Sequence, residues 1–475
     1  MISRKLCAQF GVLSLALASS AAAQTVPAAQ RDLSTWNAQV ALAEHGGEIP
    51  EGVLCLSPRP DPNYASPPLF ANDAGSQADC QYRETNPTSE YDSTVIYEIQ
   101  VVFHVIQMMD GTGFVSVAQC QSQIDVFNED FNALPGSLGA PGNDARIRFK
   151  LATVDPSGEA TTGVTYSRNN QWFNDGGQYW QALAWDTNRY MNVYTNTAGG
   201  FLGYVPALPN LGGVAGQAYD RVVVEWSTIG KNAPYGLPWD QGRIATHEVG
   251  HWLGLWHTFD GGCGDPGRCY TTGDYICDTN PESSPTSGCG EGKVQCGGFA
   301  SPVNNYMDYT DDACLFEFTI EQNRRMRCTI SQWRPLLATI IQPDPFAVDQ
   351  NTLSLSSGGT MTFDIETSIA MGSWYYLILG SATGTAPALP LGGGVELPLV
   401  YDDYFALLLN SPKAVPFQKI RGFLDHNGRA QARLNVSGGV DPSLAGVQLY
   451  HAYAATGDGL SFGFASEAEV FTLVP

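Results

Sequence analysis

Residues 246–257 read Thr-His-Glu-Val-Gly-His-Trp-Leu-Gly-Leu-Trp-His. His247 and His251 are four apart, one turn of an α-helix, so both imidazoles leave the same face and can reach one ion. Glu248 is placed to hold a water beside that ion and take its proton. Gly254 tolerates a positive φ, which ends the helix and turns the chain back so that His257 becomes a third ligand. Three neutral nitrogens leave a fourth position open, the arrangement of a catalytic rather than a structural zinc. HExxH alone also occurs by accident on surface helices, as two solvated histidines. The chain has 7 His and 51 Gly in 475 residues, so the full HExxHxxGxxH has a chance frequency on the order of 1 in 100,000.

A second element follows at Asn305-Tyr306-Met307-Asp308-Tyr309. A lone methionine is usually ordinary core. Beside three histidines, Met307 reads as the methionine of a Met-turn, an apolar floor beneath the ion.

These residues need a scaffold. Ile99 to Ile106 (IQVVFHVI) is an apolar, β-branched run that reads as a buried strand. Cys120, Ile124, Phe127 and Phe131 recur at helical spacing, and Ala133-Leu134-Pro135-Gly136 ends that helix. Ile147, Phe149 and Leu151 alternate with Arg146, Arg148 and Lys150, a strand with one wet face. Further strands are expected at 190–194 and 222–226, and the metal-binding helix starts near Gly242. This order gives an α/β layer with a mixed sheet over residues 93–341. Gln342-Pro343-Asp344-Pro345 reads as a linker. From 346 to 475, short alternating strands such as Met361-Phe363-Ile365 and the run 374–379, separated by Gly-rich turns, predict a C-terminal all-β sandwich. That domain shows no aromatic ladder or acidic cluster, and substrate or a surface polymer are its candidate ligands. Asn435-Val436-Ser437 fits a glycosylation acceptor, a triplet common by chance.

Asp plus Glu outnumber Lys plus Arg by 47 to 24, a formal charge of -23. Such a surface repels phosphate backbones and anionic lipids, which argues against nucleic acid and membrane surfaces as partners. Arg4 and Lys5, the apolar run from Phe10 to Leu17, and Ala21-Ala22-Ala23 before Gln24 have the three parts of a secretory signal peptide over 1–23. No later stretch is long enough to span a bilayer. The expected location is therefore secreted, or periplasmic if the host has an outer membrane. Residues 24–92, rich in Pro, Ala, Ser and Asn, read as a pro-segment. Setting aside Cys7, the 11 cysteines leave an even number in an exported chain, which favours disulfides.

The strand IQVVFHVI, the stretch THEVGHWLGLWHTFDGGC, GDYICDTNP and NNYMDYTDDAC, in that order over roughly 97–330, resemble the pappalysins among the metzincins, in particular their ulilysin-like bacterial members. The resemblance implies a two-part metalloprotease fold whose substrate lies extended against the edge strand of the upper sheet. It implies zinc on His247, His251 and His257, Glu248 as general base, and Met307 in the Met-turn. Tyr309 matches a tyrosine that can hydrogen-bond the tetrahedral intermediate. The stretch 273–279 looks like the family's calcium loop, with Asp274 by its side chain and Thr279 and Cys289 by their carbonyls as candidates. Family cysteines imply the pairs Cys263-Cys296 and Cys289-Cys314. Cys269 and Cys277 are additions that could pair with each other, and Cys120 and Cys328 are left to join the early helix to the one carrying Arg324 to Arg327. Some relatives keep a pro-segment cysteine on the zinc until activation. Here neither Cys55 nor Cys80 is followed by the expected glycine, and parity favours a disulfide between them.

The expected activity is hydrolysis of peptide bonds in proteins by a secreted zinc endopeptidase. The bacterial relatives' preference for Arg or Lys after the cut would need acidic groups, for which Asp311 and Asp312 are candidates. The rival readings are an adhesion or surface-binding protein with a vestigial metal site, against which an intact Glu248 argues, and a non-peptide zinc hydrolase.

Overall fold

The computed structural model describes residues 54, 55, 57, 88–209, 214–410 and 416–475. The signal peptide, Cys7, Cys80 and most of the expected pro-segment lie outside the described residues. The apolar run forms the long strand β1 (Ile96–Gln107). Ile99, Val101, Phe103 and Val105 enter one core cluster, while Val102 and Ile106 enter two others. A strand covered on both faces has no wet side, which is why it reads as continuous apolar sequence.

Strands β2 (Ile147–Leu151), β3 (Val164–Arg168) and β4 (Met191–Asn196) run parallel to β1. β5 (Gly203–Tyr204) pairs antiparallel with β6 (Val222–Glu225), which runs parallel to β4. The order β2-β1-β4-β6-β5 puts β5 at one end of the path. A two-residue hairpin, β7 (Val294–Gln295) with β8 (Phe299–Ala300), lies in the cysteine-rich loop, and β9 (Ala338–Ile341) returns antiparallel onto β1. The sheet is mixed, as the order of elements predicts.

Helix α1 (Val117–Phe131) is capped by Ser116, whose side chain accepts from the Gln119 N–H. Its Phe127 and Phe131 rings lie 5.1 and 5.0 Å from Phe149 on β2. Helix α2 (Arg243–Trp252) carries the metal motif and is buried along its whole length. Helix α3 (Ile320–Trp333) opens on a capping box between Thr319 and Gln322. The pairing of Cys120 with Cys328 does not form. Cys120 is a free, buried thiol on the core face of α1, and Cys328 is disulfide-bonded to a partner outside the described residues.

Beyond the linker the strands form one ten-stranded ladder. Phe417–Gln418 pairs with Arg429–Ser437 at one end of the path, and Arg421–Phe423 pairs with Tyr375–Ser381 at the other. Only Lys419 and Ile420 separate those two strands in sequence. The strands enclose a core that includes Met361, Phe363, Ile378 and Phe471. The C-terminal region is built of strands as expected; Leu389–Gly392 and Val395–Leu397 form a separate hairpin, and helix Asp403–Asn410 adds Phe405 and Leu408 to the core.

The two domains meet through polar groups. Arg429 pairs with Asp144 and donates to the carbonyls of Asn132 (2.8 Å) and Ala133 (3.1 Å). Arg146 lies beside Asp144 and donates to the Thr367 carbonyl, and His426 bonds the Gly142 carbonyl at 2.8 Å. Asp144 is thus the shared anion of two mostly buried guanidinium groups. Removing one member of such a group leaves uncompensated charge. Asp144→Ala is expected to destabilise the chain by ~3–5 kcal/mol, read as a fall in the urea midpoint; an unchanged midpoint would show that the junction carries no stability.

Candidate active site and metal centre

Within α2, His247 and His251 project to one side. The helix stops at Leu253, Gly254 takes φ 95°, and its N–H bonds the His251 carbonyl at 2.9 Å. The reversal brings His257 back to the other two. The Nε2 atom of His251 lies 3.1 Å from Nε2 of His247 and 3.1 Å from Nε2 of His257. Each Nδ1 has an acceptor: the Tyr306 carbonyl for His247 (2.7 Å), the Leu255 carbonyl for His251 (2.8 Å) and Asp260 Oδ2 for His257 (3.0 Å). With Nδ1 donating, each neutral ring turns the lone pair of Nε2 inward. Three lone pairs at such distances repel one another unless a cation sits among them, so the donor set fits a metal. Burial, first of all, pushes His247 down to about 3 and His251 well below its usual value, which keeps both rings in the ligating form.

Met307 packs beneath this group. A Cβ on Gly250, in the turn between the first two histidines, would come within 2.4 Å of Met307 Sδ, so glycine is required there for the close approach. Asp130 on α1 ties the parts together. It accepts from Arg243 (3.0 Å), from Thr246 Oγ1 (2.7 Å) and from the Tyr306 hydroxyl (2.9 Å). One buried carboxylate thereby fixes the residue before His247 and the residue whose carbonyl orients His247.

Glu248 is buried, and burial pushes its carboxyl up to about 8 against hydrogen bonds from Cys55 and Ser57. Cys55 Sγ lies 3.4 Å and Ser57 Oγ 3.1 Å from Glu248 Oε2. The ligating atoms of Cys55, His247, His251 and His257 all lie within 4.8 Å of one another. This corrects the expected bond between Cys55 and Cys80: Cys55 is a free thiol at the centre of the site. Its segment adds to the free side of β5, through a parallel bridge of Cys55 to Gly203 and a 2.9 Å bond from the Leu202 N–H to the Leu54 carbonyl. Ser57 Oγ accepts from the Val205 N–H at 3.0 Å. Tyr309 packs against His257 and Phe259, and its hydroxyl bonds both the N–H and the carbonyl of Cys55 at 3.3 Å.

The cysteine-rich loop holds disulfides Cys263-Cys296, Cys269-Cys277 and Cys289-Cys314. Asp274 is buried within it and pushed up to about 7 by that burial. Its oxygens accept from the Ile276 N–H (3.2 Å) and from Thr279 Oγ1 (2.7 Å). A cavity of about 480 Å³ beside it is lined by Asp274 and Thr279 but not by Cys289. Asp312 is fully buried, and its Oδ2 accepts from the N–H groups of Gln241 (2.8 Å) and Arg243 (3.3 Å) at the start of α2. The carboxylate offered as a pocket charge thus serves the helix N-terminus. Asp311 is the N-cap of the short turn 312–314.

With that geometry in place, comparison with known proteins is informative. A peptidase M43 model, described as pregnancy-associated plasma protein-A, matches residues 178–331. Extracellular metalloprotease 1 of Coccidioides posadasii (strain C735) is 35% identical over 250 residues, 51% of this chain and 78% of the relative. The chain belongs to the M43 peptidases. An extracellular metalloprotease of Colletotrichum graminicola is 35% identical over 246 residues, 50% of this chain and 77% of its own. Mature mirolysin of Tannerella forsythia in complex with a cleaved peptide is 32% identical, covering 52% of this chain and 99% of that one, with a TM-score of 0.42. As an M43 member the chain is a metalloprotease, and zinc is the metal the family implies.

Asp130, Asp260 and Ser57 escaped the sequence reading. Asp130 carried a signal, since an acid three residues after Phe127 falls on the buried face of α1. Asp260, three residues after His257, gives that histidine an anionic acceptor where the other two have carbonyls. Such carboxylate-histidine pairs strengthen metal binding. Asp260→Asn keeps an acceptor but removes the charge, and is expected to weaken zinc binding by roughly 10–100-fold, read by competition with a chromogenic chelator; equal affinity would make Asp260 a loop residue only.

Proposed function

We propose that this M43 peptidase is an extracellular zinc endopeptidase whose general base is Glu248 and whose site is held shut by its own residues 54–57. The observation that carries the reading is the convergence of three inward-facing imidazole nitrogens next to a buried carboxylate. Both named relatives are extracellular metalloproteases, and among the described residues no helix is long and apolar enough to cross a membrane. His247, His251 and His257 would hold a zinc ion, which would supply Lewis acidity at the site.

The remaining work falls to the chain. Once Cys55 and Ser57 leave, Oε2 of Glu248 is free to accept a proton from water and pass it to the leaving amine. Tyr309 already donates to a backbone carbonyl at the mouth of the site, that of Cys55. A scissile carbonyl in the same place would receive the same hydroxyl as negative charge develops on its oxygen. The free side of β5, now used by Leu54 and Cys55, offers a substrate backbone the same pairing. Latency is thus competitive: Cys55 stands with the imidazoles, and Ser57 occupies the base. The vestigial-site reading finds no support in a site with its glutamate in place.

Two finer points belong to this reading. Calcium in the loop 273–279 would draw on Asp274, which must first give up its bond to Thr279. A rise in melting temperature with millimolar calcium that is lost in Asp274→Asn supports it, and no rise removes it. The expected preference for Arg or Lys after the cut loses the Asp312 carboxylate on which it was to rest.

Glu248→Ala is expected to retain zinc while casein hydrolysis falls by roughly 10²–10⁴-fold, and a variant that cuts at the normal rate would exclude Glu248 as the base. In the full chain, Cys55→Ala is expected to raise basal, chelator-sensitive cleavage at least ~10-fold, since one bound thiol is worth more than 1.4 kcal/mol. A variant as silent as the parent would place latency elsewhere.

A further inference from the structure

Beside His247 and Glu248 lies a small cavity. In the closed site its apolar lining consists of Leu54, Leu202, Trp239, Ile244 and Leu315, of which all but Leu54 stay once residues 54–57 leave. Cys55, Arg243, Asp308, Tyr309 and Thr310 also border it. Asp308 is largely committed to its own loop: Oδ1 accepts from the N–H groups of Thr286 and Tyr309, and Oδ2 accepts from the Thr310 hydroxyl. Arg243 is fully buried, paired with Asp130, and its Nε and Nη1 have no hydrogen-bond partner. Asp312 is not among the lining residues; its Oδ2 accepts from the N-terminus of α2, and its buried Oδ1 has no hydrogen-bond partner.

We propose that this cavity receives the side chain of the residue just after the scissile bond and selects an apolar one, of leucine, methionine or phenylalanine size, while rejecting lysine and arginine. The proposal rests on the endopeptidase reading above and names its substrate class. Glu248 delivers a proton to the leaving amine, and that nitrogen belongs to the residue after the cut. The cavity that adjoins Glu248 is therefore within reach of that residue's side chain. A cationic guest would lose its hydration and face the Arg243 guanidinium in surroundings that screen charge poorly. An apolar guest displaces water from an apolar wall. In the closed site Leu54 and Cys55 both line this cavity, and Leu54 presents an apolar side chain to it.

The test uses the full chain after activation by limited proteolysis, with casein cleavage blocked by a zinc chelator as the check on activity. Quenched fluorescent peptides identical except after the cut, carrying Leu, Phe, Met, Ala, Lys, Arg or Glu, are compared by kcat/KM. Leu, Met and Phe are expected to exceed Ala on the order of 10-fold, and Lys and Arg on the order of 100-fold. Lys or Arg cleaved as well as Leu would overturn the proposal while leaving the peptidase reading intact. Chelator-insensitive or absent casein cleavage would instead overturn the peptidase reading, and this proposal with it.

Discussion

The site depends on one electrostatic constraint: three imidazole rings whose outer nitrogens are each committed to an acceptor, so that three lone pairs must face one another. This arrangement costs energy without a cation and is stabilising with one. Everything around it serves to hold the rings in that state. The Tyr306 carbonyl is set by the Met-turn, the Leu255 carbonyl by the reversal at Gly254, and Asp260 by the turn after His257. Full burial adds to the constraint, because a buried imidazole with no anion to pair with cannot take up a proton cheaply. The same burial that keeps His247 and His251 neutral raises Glu248, so a single apolar environment prepares both the ligands and the base.

The scaffold explains how such a polar group survives in a core. Asp130 gathers three donors from α2 and the Met-turn, and Asp312 gathers two more at the start of α2. Both are acids on elements packed against the helix that carries the histidines. They replace the water that the donors would otherwise need. The helix is thereby anchored at its first turn and beneath its middle, and the close fit of Met307 on Gly250 leaves it no freedom to slide.

Some of this was legible in the sequence because it is local. His247, His251 and His257 are related by helical spacing and one glycine, and β1 and α1 by periodicity. In the loop at 263–314, Cys263-Cys296 and Cys289-Cys314 followed from family resemblance, and Cys269-Cys277 from two added cysteines left to pair with each other. What was not legible depends on distant partners. Cys55 was assigned to a disulfide by counting thiols, since nothing in Leu54-Cys55-Leu56-Ser57 shows that it meets Glu248, 193 residues away. Cys328 was matched with the wrong partner for the same reason. Asp312 was a candidate pocket charge because it sits in an acidic pair after Met307, and only the fold shows that its Oδ2 serves the start of α2. In the C-terminal region alternating strands are legible as strands, but their order is not, because it rests on pairings between distant segments such as Gly358–Glu366 with Arg429–Ser437.

The pairing of Leu54 and Cys55 along β5 has a consequence for how the site opens. Each bond in that strand is weak, about 1 kcal/mol net, and would not keep a free peptide in place against substrate. Tethering changes the arithmetic, because a segment on the same chain is presented at an effective concentration in the millimolar range. A single cut in the connection between 57 and 88 need not disturb any contact in the cleft. Where the freed piece carries no disulfide to Cys328, the cut turns a local reactant into a solute, and dilution then does the releasing, at a rate set by how fast the fragment dissociates rather than by the protease that made the cut.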